Sequence, residues 1–222
     1  MHNLKEEEKH PKQDFQVERI AFFSDAVFAI ALTLLIIEFV PPNITKDTTH
    51  EELVANLASL KYKFVALIVS FGLIMNYWIK HHTLFKHIYN YNKKIIQANM
   101  LLLLPVILFP FSTSFVYETL SVEKEELLDL PFKIFIFNNL LASVGTLYLY
   151  YTATNKFKEY CYEFSKEDKD SFQEMLYLAI SFAAAFAMSF IYFQFAGYIL
   201  FPFVFYQLYK KFKKVKSKKI RK

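Results

Sequence analysis

The sequence predicts an all-α integral membrane protein with six transmembrane helices per protomer, and three observations carry that prediction. The composition is 55% hydrophobic and 19% aromatic, with 26 Phe and 15 Tyr, which is too apolar for an ordinary soluble domain. Stretches of about 20 residues, nearly free of charge, recur along the chain, and each is long enough to cross ~30 Å of hydrocarbon as a helix. They are continuously apolar rather than alternating, so helices, not a closed barrel, satisfy the backbone in lipid. Finally, lysine and arginine separate between alternate loops.

Taken in order, the charged segment 1–18 lacks a small-residue cleavage pattern and reads as a retained cytoplasmic segment, not a secretory signal. Spans are expected at 20–40, 60–79, 95–117, 132–154, 173–190 and 194–210, which makes 19–210 the membrane domain and 211–222 a basic cytoplasmic tail. The last pair is a single apolar run from Met175 to Tyr209. Hydropathy allows two short helices with a turn near Phe193–Gln194 or one long bent helix. Charge favours two. With the amino terminus inside, six spans put 21 of the 26 Lys and Arg on the cytoplasmic side, whereas five would export the nine basic residues of KKFKKVKSKKIRK. The expected localisation is the cell membrane, multi-pass, with both termini cytoplasmic. The tail reads first as a topology signal and second as a site for anionic lipid. The outer loops carry Glu118, Glu123, Glu125, Glu126 and Asp129, which suits an incoming cation or simply a solvated surface.

Several functions are disfavoured. A lone cysteine, Cys161, gives neither an internal disulfide nor a thiolate metal cluster, and three glycines supply no phosphate-cradling loop. No cofactor, resident metal or nucleic-acid partner is expected. Hydrolysis is disfavoured too, because His81 and His82 are adjacent and point in different directions, and the spans offer no nucleophile with an obvious base. The chain is not expected to be an enzyme.

Ionisable groups inside a span cost ~2.5–3.5 kcal/mol on insertion scales and so need a partner or a function. Asp25 lies about five residues, or ~7.5 Å, into the first span. Arg19 sits at the membrane edge. The second span runs inward to Trp78, His81 and His82, and the third starts outward at Asn99, so these groups share a level with Ser24 and Asp25. One hydrogen-bonded cluster of Arg19, Ser24, Asp25, Trp78, His81 or His82, and Asn99 is expected, with interfacial anchoring as the plainer reading. At 100° per residue, Asp25 points about 140° away from Ile30, while Thr33, Leu34 and Ile37 fall within about 60° of Ile30. In a symmetric oligomer that face makes stacked rings around an axis, although such a stripe is more often helix packing. Glu38 stands at the outer end.

These residues carry a resemblance. Arg19-Ile-Ala-Phe-Phe23-Ser24-Asp25 fits an R-x-x-x-F-S-D motif, followed by Ala29-Ile30 and Thr33-Leu34, then Trp78-x-x-His81-His82 with Leu84-Phe85, then Asn99 and Pro110-Phe111-Ser112-Thr113. The chain resembles the prokaryotic branch of the endosomal and lysosomal potassium channel family, the transmembrane-protein-175 family. The likeness covers the first three spans; beyond Tyr117 it is one of hydropathy and length. It implies a six-helix protomer, four of which assemble as a four-fold symmetric homotetramer whose first helices line a potassium-permeable pore without a Thr-Val-Gly-Tyr-Gly filter. By the same resemblance Ile30 is the hydrophobic gate, Thr33 a hydroxyl ring linked to selectivity, and Leu34 or Ile37 a further narrow layer. Arg19, Phe23, Ser24, Asp25, Trp78, His81 and Asn99 become a structural network, and Glu38 lies at the outer mouth. A proton-coupled carrier using Asp25 and His81 or His82 is the alternative.

Overall fold

Apolar residues on every face of a helix cannot all be hidden in one protomer core, and the structure is a bundle of long helices with an apolar exterior. It is a computed structural model that describes residues 11–37, 44–121 and 125–200. The helices are α1 (Pro11–Ile37), α2 (His50–Ser59), α3 (Lys61–Phe85), α4 (Lys93–Ser121), α5 (Glu125–Tyr151), α6 (Lys166–Ser189) and the short α7 (Phe193–Ala196). Their starts are read locally from the sequence. Thr49 and Glu52 form a capping box on α2, Asn92 Oδ1 accepts from the Lys94 and Ile95 amides of α4, and Ser165 caps α6.

The expected six spans are corrected by this arrangement. Among the described residues five helical stretches are long and apolar enough to cross a membrane: Gln16–Ile37, His50–Phe85, Lys93–Leu120, Glu126–Lys156 and Lys166–Ser189. Among the described residues the apolar run from Met175 is not one continuous helix. α6 stops at Ser189, and Tyr192 takes φ −142° and ψ 82°, outside the helical region. After Tyr192 the described residues form the four-residue α7 and a four-residue 3₁₀ turn, Gly197–Leu200, both too short to span. Hydropathy reports which residues avoid water; it does not report whether they share an axis. The remainder of the expected sixth span (201–210), the tail proposed for anionic lipid (211–222), and Glu38 lie outside the described residues.

Helix α4 is the centre of the bundle, packed against α5, α1 and α3. Its buried face runs through Ala98, Asn99, Leu102, Leu103, Val106 and Phe109, while Leu101, Leu104, Ile107 and Leu108 are exposed on the outside of the protomer. Hydrophobic burial from water does not drive helices together inside lipid, so close backbone approach and interhelical hydrogen bonds take over. Thr113 donates to Ser70 at 2.7 Å, Tyr77 reaches the Asn139 carbonyl at 3.0 Å, and Asn138 donates to the Pro105 carbonyl at 3.1 Å. Gly145 supplies the close approach: a Cβ there would lie 3.0 Å from Leu102 Cα, a backbone atom that cannot step aside. Gly145→Ala is therefore expected to destabilise the protein by about 1–3 kcal/mol, read as a lower unfolding midpoint in detergent. Gly72→Ala, with nothing within 4 Å of the added carbon, should leave it unchanged. Equal midpoints for the two variants would refute this packing.

One end of the bundle is closed by a clasp between loops. Residues Ile88 and Cys161 form an isolated antiparallel bridge, Tyr162 N donates to His87 O at 2.8 Å, and His87 stacks on Phe164 at 4.2 Å while facing Asp168 at 3.5 Å. Tyr91 of the first of these loops donates to Gln16 at 3.1 Å, so the start of α1 lies at the same end. At the opposite end Lys63 pairs with Glu118 at 2.8 Å.

Candidate functional site

Helix α1 has two faces. Ser24, Phe28, Ala31 and Leu35, spaced at three and four residues, are buried against α3 and α4. Phe23, Ile30, Thr33, Leu34 and Ile37 are exposed in the protomer, Ile30 to 58% and Ile37 to 65%. Only 22% of the most apolar window of α1 is buried, against 50% for α4. The α1 surface thus has far more uncovered area than the central helix. Thr33 donates its hydroxyl proton to the Ile30 carbonyl at 2.8 Å. With that proton committed to the helix, the oxygen lone pairs are what Thr33 presents outward.

The buried side is held by two polar links. In the first, Trp78 Nε1 on α3 donates to Asp25 Oδ1 at 2.9 Å, and the indole stacks on His82 with centroids 5.5 Å apart. In the second, three hydrogen bonds run in one direction. His81 Nε2 meets Asn99 Oδ1 at 3.0 Å, Asn99 Nδ2 donates to Ser24 Oγ at 2.9 Å, and Ser24 Oγ donates to the Ile20 carbonyl at 2.9 Å. The direction fixes the imidazole tautomer. Because the Asn99 amide nitrogen faces the Ser24 oxygen, its carbonyl oxygen faces His81 and can only accept, so Nε2 carries the proton. His81 Nδ1 is buried without a hydrogen-bond partner among the described residues. The ring lies between Phe28, at 5.6 Å, and Phe85, at 4.3 Å.

Of the residues expected to cluster, Ser24, Asp25, Trp78, His81 and Asn99 come together, but as two separate links and not one network. Arg19 is exposed and makes no hydrogen bond or ion pair among the described residues; it borders a cavity with Gln16, Phe23 and Tyr91. Phe23 is likewise exposed, at 53%. An arginine at the membrane edge can remain solvated, so it does not need the protein partner that a buried one would. Asp25 and His81 are not hydrogen-bonded to each other.

A further polar group was not foreseen. Lys80 is 5% exposed and donates to Ser171 O at 2.8 Å and to Glu174 Oε2 at 3.3 Å, with a close contact to Ser171 Oγ, tying α3 to α6 beside the motif histidines. The signal was available: Glu174 is an acid placed inside the expected span 173–190, and such a group calls for a partner.

The comparisons fall on this region. A family profile described as "Endosomal/lysosomal potassium channel TMEM175" matches residues 19–110, from Arg19 through the two polar links to the middle of α4. A potassium channel of the cyanobacterium Chamaesiphon minutus is 38% identical over 111 residues, half of this chain. The crystal structure of a lysosomal potassium-selective channel TMEM175 homolog from the same organism superposes with a TM-score of 0.70, at 27% identity, over 87% of this chain and 97% of that one. The first half of this chain is similar to the TMEM175 family. The human relative, named an endosomal/lysosomal proton channel TMEM175, is 37% identical over 76 residues, 32% of this chain and 15% of its own length. A TMEM175 structure only 19% identical, with a TM-score of 0.60, shares the fold. The sequence match spans about half the length of the prokaryotic TMEM175 relatives, 53% for the Chamaesiphon channel.

Proposed function

We propose that the protein is a potassium-permeable cation channel, a homotetramer in which the first helices surround the pore. The observation that carries this reading is the uncovered α1 face. The opposite face is pinned to α3 and α4 by the Trp78–Asp25 and His81–Asn99–Ser24 links, while Ile30, Thr33, Leu34 and Ile37 meet nothing within the protomer that buries them. Symmetry turns each of these positions into a ring. The names of the prokaryotic relatives, potassium channels, support the same assignment.

In this reading the Ile30 ring is the gate. Four branched alkyl groups around a narrow axis expel water, and an ion stripped of water there meets no replacement ligand. The Thr33 ring lies one helical turn further out and offers oxygen lone pairs, which replace part of the hydration shell of a permeating ion. Potassium holds its water less tightly than sodium, so a weakly polar passage penalises sodium more. Leu34 and Ile37 narrow the outward continuation. The amino-terminal end of α1 is assigned to the cytoplasm, because the loops at that end of the bundle carry Lys86, Lys93, Lys94, Lys156, Lys158, Lys166 and Lys169.

Planar-bilayer recording of the full chain tests the reading. Unitary currents should reverse near the potassium equilibrium potential. Reversal that follows an imposed proton gradient, or flux without unitary events, refutes it and favours a proton conductor or carrier. Thr33→Val keeps the shape and removes the oxygen, so its currents should persist while the potassium over sodium preference falls toward unity under bi-ionic conditions. An unaltered preference would remove Thr33 from the selectivity step.

A further inference from the structure

At the clasped end of the bundle, α5 does not end cleanly. Its last turn widens into a five-residue π-helix, Thr152–Lys156, a form concentrated at functional sites. Between this turn, the adjoining loop and the start of α6 lies a cavity of about 340 Å³ bordered by Thr154, Asn155, Lys158, Glu163, Phe164 and Lys169, among others. The lining thus sets two lysines beside the Glu163 carboxylate, with Glu159 near Cys161, and Asp168 near Tyr150 but turned to His87. Within the helices Lys63, Lys80 and Lys133 are each matched by a carboxylate at 2.7 to 3.3 Å. Lys158 and Lys169 make no ion pair among the described residues.

The depth of the cavity is marked by its neighbours. It lies between the end of Glu126–Lys156 and the start of Lys166–Ser189, two stretches long and apolar enough to cross a membrane. Lys156 extends over the Tyr148 and Tyr151 rings at 5.9 and 5.6 Å, an aromatic and lysine pairing suited to the headgroup layer. The floor is aromatic: Tyr150 stacks on Phe172 at 3.8 Å and meets Phe164 edge-on at 5.6 Å. Cys161, which also borders the cavity, adds no charge, because burial, helped by the nearby Glu159, pushes its thiol up to about 11.

We propose that this cavity binds a phosphate group, and that its source is the headgroup of an anionic lipid. Lys158 and Lys169 supply the charge, the Asn155 amide is a hydrogen-bond donor, and the aromatic floor receives the glycerol end. Basic pockets between membrane helices are suited to such headgroups. The site is separate from the α1 face and does not depend on it.

The test is equilibrium binding of dioctanoyl phosphatidic acid to the purified full chain, read by native mass spectrometry. Dioctanoyl phosphatidylcholine and inorganic phosphate serve as competitors. Saturable binding of phosphatidic acid in preference to phosphatidylcholine is expected, and Lys158→Gln with Lys169→Gln should weaken it by between about tenfold and thirtyfold. Arginine at both positions should retain it, as should glutamine at Lys93 and Lys94. Unchanged binding in the 158/169 glutamine variant overturns the site, as does an equal loss in the 93/94 variant, which would mark general surface charge. Competition by inorganic phosphate at the same concentration as the lipid overturns the lipid source. Because the readout is binding, a protein that passes no current leaves this proposal standing.

Discussion

Replacing Ile30 by asparagine is expected to raise the potassium conductance in lipid bilayers by about tenfold or more, since lowering a barrier by about 1.4 kcal/mol already gives a factor of ten. The physical reason is the hydration of the constriction. A ring of alkyl groups offers water no hydrogen bonds, so the narrow stretch empties and the ion faces a desolvation barrier. An amide of similar length offers both a donor and an acceptor at the same radius. Water then stays, and an ion crosses with part of its shell replaced. The substitution should be tolerated by the fold, because Ile30 is 58% exposed in the protomer and its loss leaves no cavity there. Ile30→Val separates polarity from size: it trims one methylene but remains apolar, so the gate should stay dry and the conductance stay close to that of the parent. If the asparagine protein conducts no better than the parent, Ile30 is not the barrier and the stacked-ring picture of α1 fails with it.

What the sequence disclosed about α1 and what it withheld have separate causes. Helical phase alone divided Asp25 from Ile30, because a 3.6-residue period assigns faces without any knowledge of neighbours. The Trp78–Asp25 contact was foreseeable from depth, since an acid within a span and an indole at the matching level of the next have few other solutions. Partners two or more helices away were harder. The Lys80–Glu174 pair joins residues 94 positions apart on α3 and α6, and hydropathy carries no information about which helices touch. Hydropathy also ended the second span at 79, whereas α3 continues to Phe85. Lys80, His81 and His82 lower the apolar average but still form helix, with Lys80 and His81 buried by partners of their own. The sixth span, 194–210, came from the count of basic residues, which constrains the side of the membrane but not the helix; its described part holds only the short α7 and a 3₁₀ turn. The backbone bonds of the clasp between the His87 and Tyr162 loops use groups that every non-proline residue carries, so no residue type announces them.

The second large effect is on stability. Asn99→Leu is expected to lower the unfolding free energy by roughly 2–4 kcal/mol, combining one or two interhelical hydrogen bonds of about 0.6–1.7 kcal/mol each with the penalty for an orphaned buried group. Asn99 is fully buried and bridges α1 and α3 by itself, accepting from His81 and donating to Ser24. Leucine fills a comparable volume but does neither. Ser24 loses little, because its own proton still goes to the Ile20 carbonyl. His81 loses more: Nδ1 already lacks a partner among the described residues, and now Nε2–H lacks one as well, on a ring stacked on Phe85 and tilted against Phe28. The orphaned donor, more than the missing bond, therefore sets the size of the effect. A double-mutant cycle isolates it. His81→Phe removes the donor along with the need for an acceptor, so Asn99→Leu with His81→Phe should be less damaging than the two single losses added, by about 1 kcal/mol or more. Thermal or denaturant unfolding of purified protein in one detergent gives all four corners. Strict additivity would mean that the histidine and the asparagine act independently.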